Sequence, residues 1–165
     1  MTPVVILSAL LAVIIWGASP VATKLAVADL SPLTVSVLRT VIGGLLAILI
    51  ALMMRIPLPA TGNQRGTLVL SGFCGFIFFP LFFSIGVEKT SANHASMILA
   101  SLPVFTGVIA NLWDRKVPAR VWWFGCAVAL VGEAILISGR SDSVNVATLE
   151  GDLIVLGSNL FASLG

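Results

Sequence analysis

Long apolar runs are the feature that most restricts how this sequence can fold. Five of them cover residues 4–25, 32–54, 67–87, 92–113 and 121–138. Each is about as long as the roughly 20 residues that a helix needs to cross a bilayer core about 30 Å thick. A sixth run opens at Leu153 and stops at Gly165, which is too short to cross. Because lipid cannot satisfy free backbone polar groups and barrel strands would alternate, the runs predict helices.

The composition supports the same reading of the runs. Only 10% of the residues are charged and 58% are hydrophobic, whereas a soluble domain carries about 25% charge. So few charges cannot cover a water-facing surface. The net charge of +2 is too small to indicate nucleic-acid binding. We therefore predict an all-α, polytopic membrane helix bundle with five transmembrane helices plus a truncated sixth.

The polar links between the runs predict the orientation. Short links make consecutive helices antiparallel neighbours. One side of the membrane then holds Arg55, Arg65, Arg115, Lys116 and Arg120. The other side holds Lys24, Lys89 and Arg140. By the positive-inside rule this modest excess places the N-terminus in the cytoplasm, and the opposite orientation stays open.

Two charged residues interrupt the apolar runs. Arg39 lies in the second span and Glu133 in the fifth, where a charge costs about 2.5–3.5 kcal/mol on insertion scales. In the predicted topology they lie at nearly the same depth below the outer surface. We hypothesise that they border one polar cavity and pair across it. The alternatives are a purely structural ion pair, or two side chains that extend to the interface and never meet.

Prolines also interrupt the spans. They are Pro20, Pro80 and Pro103. Each removes the hydrogen bond to the carbonyl four residues earlier. The freed acceptors would be the carbonyls of Trp16, Phe76 and Leu99. Broken helices near mid-membrane expose backbone to the solute in many transporters, although proline in membrane helices often only fits packing.

The ends of two spans carry further candidate residues. In the stretch 14-IIWGASPVATK-24, Trp16 offers a stacking or cation-attracting face and Gly17 allows a close approach. Lys24 then marks an outer mouth. His94, at the start of the fourth span, is a second candidate for that mouth and has no Cys or carboxylate at metal-binding spacing.

Three stretches together resemble the EamA domain of the drug/metabolite transporter superfamily. They are WGASPVATK, LSPLTVSVLRTVIGGLLAILI and GVEKTSANHASMILASLPVFTGVIANL. The family's first helix carries a Trp-Gly pair, here Trp16 and Gly17, and its second carries an arginine, here Arg39. A Thr-Ser-Ala link leads to a Pro-Val-Phe core, here 90–92 and 103–105. The chain departs from the family at the Asp-Arg-Lys turn 114–116, and Glu133 is not part of the family pattern.

The resemblance implies two five-helix repeats of opposite orientation that move small solutes by alternating access. Residues 1–140 would be the first repeat, 141–150 a loop, and 151–165 the start of helix six in the second repeat. The partner of the first repeat would be that second repeat, or a second copy in a homodimer. Such a protein would be a multi-pass permease of the bacterial plasma (inner) membrane, with no cofactor or metal.

We therefore predict a transporter of metabolites, amino acids or drugs, present as an N-terminal half or fragment. The predicted pathway residues are Trp16, Gly17, Pro20, Arg39, Pro80, Pro103 and Glu133, with Lys24 and His94 at the outer mouth. The alternatives are a non-transporting interaction protein, an inactive truncated protein, or a half-size subunit that works as a dimer. A four-helix multidrug exporter is disfavoured because the first span lacks an acidic residue. An enzyme is not expected, because no nucleophile–base pair lies in the spans.

Overall fold

The computed structural model describes residues 3–56, 61–115, 117–138 and 148–165, without the side chains of residues 129, 133, 134 and 136–138. Every regular element in these ranges is helical. The helices are α1 (Pro3–Asp29), α2 (Pro32–Met53), α3 (Gly62–Gly72), α4 (Phe79–Lys89), α5 (Ala92–Ala100), α6 (Leu102–Trp113), α7 (Arg120–Ser138) and α8 (Leu149–Leu164). A π-helical stretch, Phe73–Phe78, joins α3 to α4, and the single residue Ser101 separates α5 from α6.

Four helical segments of the described chain are long and apolar enough to cross a membrane. They are Pro3–Asp29, Pro32–Met53, Gly62–Lys89 and Ala92–Trp113. These four correspond to the first four predicted spans. In α7, the apolar helical segment Arg120–Gly132 is shorter than a membrane span. The fifth crossing, and the role of α8 as a truncated sixth, therefore stay predictions.

Hydroxyl side chains begin three of the helices. The Oγ of Ser31 accepts a hydrogen bond from the backbone N–H of Thr34, at 3.2 Å. The Oγ of Ser91 accepts one from the N–H of His94, at 3.1 Å. Thr148 caps α8 in the same way through its Oγ1. Each hydroxyl satisfies a backbone donor that the first helical turn leaves without a partner, which sets where the helix starts.

The centre of the bundle lies between α4 and α8. Helix α8 packs most extensively along α4, and it also contacts α5, α6 and the π-helical stretch. Helices α1 and α2 pack against α4 from the other side, while α7 contacts α5. The buried apolar core consists of Val27, Val35, Phe83, Val87, Ala95, Leu99 and Val155. The remaining faces of α1 and α2 are exposed and apolar, as expected of helices in contact with lipid or with another membrane segment.

Glycine allows the backbones of α4 and α8 to approach closely. A Cβ atom built on Gly86 would lie 2.9 Å from the backbone N of Val155. One built on Gly151 would lie 2.7 Å from the carbonyl carbon of Lys89. Both distances are shorter than real Cβ contacts, so no larger residue fits without movement of a backbone. The two helices therefore form a tightly packed antiparallel pair.

Candidate functional site

Arg39 projects from α2 toward the polar face of α1. Its Nη1 donates a hydrogen bond to Thr23 Oγ1 at 2.7 Å, and its Nη2 donates to Ser19 Oγ at 3.0 Å. Ser19 and Thr23 are four residues apart and so share one face of α1. The Cζ of Arg39 also lies 6.0 Å from the ring centroid of Phe83 on α4, within range of a cation–π interaction. Three helices thus fix the direction of one half-buried cation.

Two cavities lie beside this guanidinium, between α1 and α2. The first, of about 220 Å³, is lined by Ser19, Ala22, Thr23, Ala26, Val35 and Arg39. The second, of about 360 Å³, is lined by Ala26, Leu30, Val35, Leu38, Arg39 and Ile42. A guanidinium has five N–H donors, and the two hydroxyl contacts use two of them. Arg39 therefore has donors left for a group that enters these cavities.

The described part of the chain contains no carboxylate in an ion pair with Arg39. The ion pairs found there are Lys89–Glu150 and His94–Asp152. Glu133 lies in α7, but its side chain is outside the described residues. The predicted pairing of Arg39 with Glu133 is therefore untested and stays a prediction.

The π-helical stretch absorbs the break that Pro80 introduces. The N–H of Phe79 donates to the carbonyl of Cys74, five residues earlier, as in a π-helix. The carbonyl of Phe76, which Pro80 leaves without its helical donor, accepts a hydrogen bond from Thr40 Oγ1 of α2 at 2.6 Å. The acceptor expected from the sequence thus receives a donor from a neighbouring helix.

The second interruption lies just before Pro103. Helix α5 ends at Ala100 and α6 begins at Leu102, with Pro103 in its first turn. The carbonyl of Ile98 accepts from the Ser101 N–H at 3.2 Å, from the Ser101 Oγ at 2.6 Å, and from Asn159 Nδ2 of α8 at 2.8 Å. The sequence predicted that the carbonyl of Leu99 would lose its helical donor. The hydrogen bond between helices is instead accepted by the carbonyl of Ile98.

The first predicted break does not interrupt its helix. Pro20 is buried, and α1 runs through it as one helix from Pro3 to Asp29. The hydrogen bond that Pro20 removes does not break α1, because a membrane helix tolerates the loss of one hydrogen bond, and this agrees with the alternative that the proline only fits the packing. Trp16 is 47% exposed, and no atom lies within 4 Å of a Cβ built on Gly17. Both residues therefore lie on an open part of α1.

Lys24 and His94 lie at the same end of the bundle. The Nζ of Lys24 donates to the carbonyls of Val87, Glu88 and Thr90, at 2.9, 3.0 and 2.6 Å. These carbonyls lie at the C-terminal end of α4, where the helix dipole favours a positive charge. The His94 Nδ1 lies 3.0 Å from Asp152 Oδ2 on α8.

Side chains at the link between α4 and α5 contact the first turn of α8. Thr90 Oγ1 donates to Asp152 Oδ1, and Lys89 forms an ion pair with Glu150. The His94 contact was not predictable from local sequence, because Asp152 is 58 residues away along the chain. Only the docking of α8 on α4 brings the two together.

A further cavity lies at the opposite end of α8, and the sequence did not indicate it. It has a volume of about 300 Å³ and is lined by Thr67, Ser71, Thr106, Ile109, Ala110, Trp113, Asp114, Ser163 and Leu164. Thr106 Oγ1 lies 3.2 Å from Ser163 Oγ, and Ser71 Oγ donates to the carbonyl of Leu164. The hydroxyls give this cavity hydrogen-bonding groups from three helices.

Comparison with known proteins identifies the family. The model of the EamA-like transporter family matches residues 3–138. The chain is 32% identical to the uncharacterized transporter YdeK of Bacillus subtilis, over 88% of this chain and 51% of that protein. It is 29% identical to the uncharacterized transporter YwfM of the same organism, over 90% of this chain and 49% of that protein.

A third relative is the uncharacterized transporter sll0355 of Synechocystis, 26% identical over 74% of this chain and 37% of that protein. The chain spans about half the length of these curated relatives or less. No solved structure matches the chain. With four apolar helices of spanning length, this is an integral multi-pass membrane protein, and it belongs to the EamA-like transporter family.

Proposed function

We propose that this chain carries small organic solutes, such as metabolites, amino acids or drugs, across a bacterial plasma membrane by alternating access. Membership of a transporter family supports transport rather than enzymatic chemistry. The observation that carries the proposal is Arg39: a cation inside a spanning helix, fixed in direction by Ser19 and Thr23, with two cavities beside it.

The position of Arg39 favours a role in binding. An intramembrane cation costs about 2.5–3.5 kcal/mol on insertion scales, so such residues usually line a substrate or ion path. Two neutral hydroxyls orient the guanidinium without neutralising it. We infer that its remaining donors bind an anionic group of the solute, and that Glu133 balances the charge when no solute is bound.

The helix interruptions supply the movement in this proposal. Transporters commonly place their sites where helices are discontinuous near mid-membrane. Here the π-helical stretch before Pro80 and the break before Pro103 are the two interruptions. Trp16, Gly17 and Pro20 would form the wall of the pathway contributed by α1. The open surroundings of Trp16 and Gly17 leave room for a solute or for another helix.

The same proposal assigns the repeats and the orientation. Residues 1–140 act as one five-helix repeat, 141–150 as a loop and 151–165 as the start of the next repeat. A second repeat or a second copy completes the cavity. The N-terminus lies in the cytoplasm, with Lys24 and His94 at the outer mouth. The hydroxyl-lined cavity at the other end of α8 would then face the cytoplasm.

Solute flux tests the proposal directly. The protein is reconstituted in liposomes and radiolabelled carboxylate-containing metabolites and amino acids are offered in counterflow. We expect uptake above that of empty liposomes for at least one solute, and loss of that uptake in Arg39→Gln. Arg55→Gln, at an exposed residue just after the end of the same helix, is the matched control. No uptake across the panel would favour the alternative of a non-transporting membrane protein.

A further inference from the structure

Asn159 is an unusual residue for the centre of an apolar helix. Its side chain is fully buried in α8, one turn from the buried Val155. The Nδ2 atom donates to the carbonyl of Ile98 at 2.8 Å and to Ser101 Oγ at 3.2 Å. Its Oδ1 has no hydrogen-bond partner among the described residues. The amide is therefore half satisfied, and both contacts of its satisfied half are with the α5–α6 break.

Burial of this amide needs a reason. A buried polar atom without a partner destabilises the packed state, whereas leucine, with the same branched arrangement of four side-chain heavy atoms, carries no such penalty. The cost is offset only by what Nδ2 provides. It supplies the one donor to the Ile98 carbonyl that comes from another helix, since the other two belong to Ser101.

The two sides of α8 differ in how firmly they are held. Toward α4, Gly86 and Gly151 bring backbone against backbone, so a shift would open a gap or create a clash. Toward α5 and α6, the hydrogen bonds are made by side chains: the Asn159 amide, the hydroxyl pair of Thr106 and Ser163, and His94 with Asp152 at the start of α8. Such contacts separate and re-form easily. We therefore expect α4 and α8 to move as one block, with α5–α6 as the part that moves against it.

We propose that Asn159 is a positioning residue that fastens the α5–α6 break to α8 in this conformation, and that a change of conformation requires its release. The unpartnered Oδ1 means that release gives up only the bonds of Nδ2. The transport step in this statement rests on the proposed function. The fastening itself is a property of the folded chain and can be measured without a solute.

Amide hydrogen exchange tests the fastening. The full chain in detergent micelles is compared with Asn159→Ala and Asn159→Leu, and the rates of residues 99–104 are followed by mass spectrometry. An interhelical hydrogen bond in a membrane protein corresponds to about three- to twentyfold in the opening equilibrium. We expect both variants to accelerate exchange in this segment by that factor, with exchange in α4 unchanged.

The matched control is Asn111→Ala. Asn111 lies in the span Ala92–Trp113, which also contains residues 99–104. Its Nδ2 donates to the carbonyl of Gly107 within α6 and to no other helix in the hydrogen bonds described. This variant should leave exchange of residues 99–104 unchanged. Asn159→Leu has the same branched arrangement of four side-chain heavy atoms and leaves no cavity, so acceleration in both this variant and Asn159→Ala assigns the effect to the lost hydrogen bonds and not to a cavity. Unchanged exchange in Asn159→Leu, or equal acceleration in Asn111→Ala, would overturn the proposal.

Flux separates this proposal from the proposed function. Asn159 touches no cavity described above, so Asn159→Leu should change the maximal rate of uptake by threefold or more and leave the half-saturating solute concentration unchanged. A change confined to the half-saturating concentration would contradict a positioning role. If wild-type protein moves no solute while the exchange result holds, the transport proposal fails and the fastening stands.

Discussion

The close approach of α4 to α8 makes Gly86 a sharp test of the fold. A Cβ in Gly86→Ala would lie 2.6 Å from Val155 Cγ2, 2.9 Å from the Val155 backbone N and 3.0 Å from the Gly151 carbonyl oxygen. Non-bonded carbon atoms prefer about 3.5–4.0 Å. The valine methyl can rotate away, but the two backbone atoms cannot. Helix α8 must therefore shift outward along this contact.

The expected cost follows from that shift. Forcing one extra methyl group into a well-packed interface costs about 1–3 kcal/mol, which is a factor of about 5 to 150 in an equilibrium constant. The free energy of unfolding is measured by SDS titration in mixed micelles. Gly157→Ala is the control, since it lies on α8 with no atom within 4 Å of its Cβ position. Alanine there should be neutral or stabilising by up to about 1 kcal/mol, because glycine is the poorer helix former. Equal stability of the two variants would refute the close packing.

Two further substitutions test contacts between helices. Lys24→Met removes the cation that binds three carbonyls at the end of α4, and we expect a loss of about 1–3 kcal/mol in the same SDS titration. Thr40→Val removes the donor to the Phe76 carbonyl but keeps the side-chain shape; the expected loss is about 0.6 kcal/mol and at most about 1.7 kcal/mol. An unchanged free energy of unfolding in Lys24→Met, or a gain in stability in Thr40→Val, would contradict these assignments.

The sequence predicted most of the secondary structure because membrane helices depend on local features. Apolar run length set the four described spans, and the prolines at 80 and 103 marked two interruptions. The response to each proline was not predictable from local sequence. Pro80 is accommodated by a π-helical stretch, Pro103 by a break, and Pro20 by an uninterrupted helix. At Pro80 the outcome includes a partner distant in sequence, since Thr40 of α2 donates to the freed carbonyl of Phe76.

The candidate site was predicted only in part, for the same reason. Arg39 was identifiable as a charge inside an apolar run, but its contacts with Ser19 and Thr23 of α1 were not predicted. The contacts of α8 were not identifiable, because His94–Asp152 and Asn159–Ile98 each join residues about 60 apart. A short apolar run with one asparagine gives no indication of the helix on which it will dock.

The central claim is that Arg39 binds an anionic group of the solute. The most direct measurement is counterflow in liposomes of a transported carboxylate solute and its neutral amide, in wild-type protein and in Arg39→Gln. An ion-pair contact predicts that the wild type prefers the carboxylate by about tenfold or more and that Arg39→Gln abolishes this preference, since a hydrogen bond to a charged group is worth about 1.5–3 kcal/mol. Equal preference for the carboxylate in both proteins would contradict the claim.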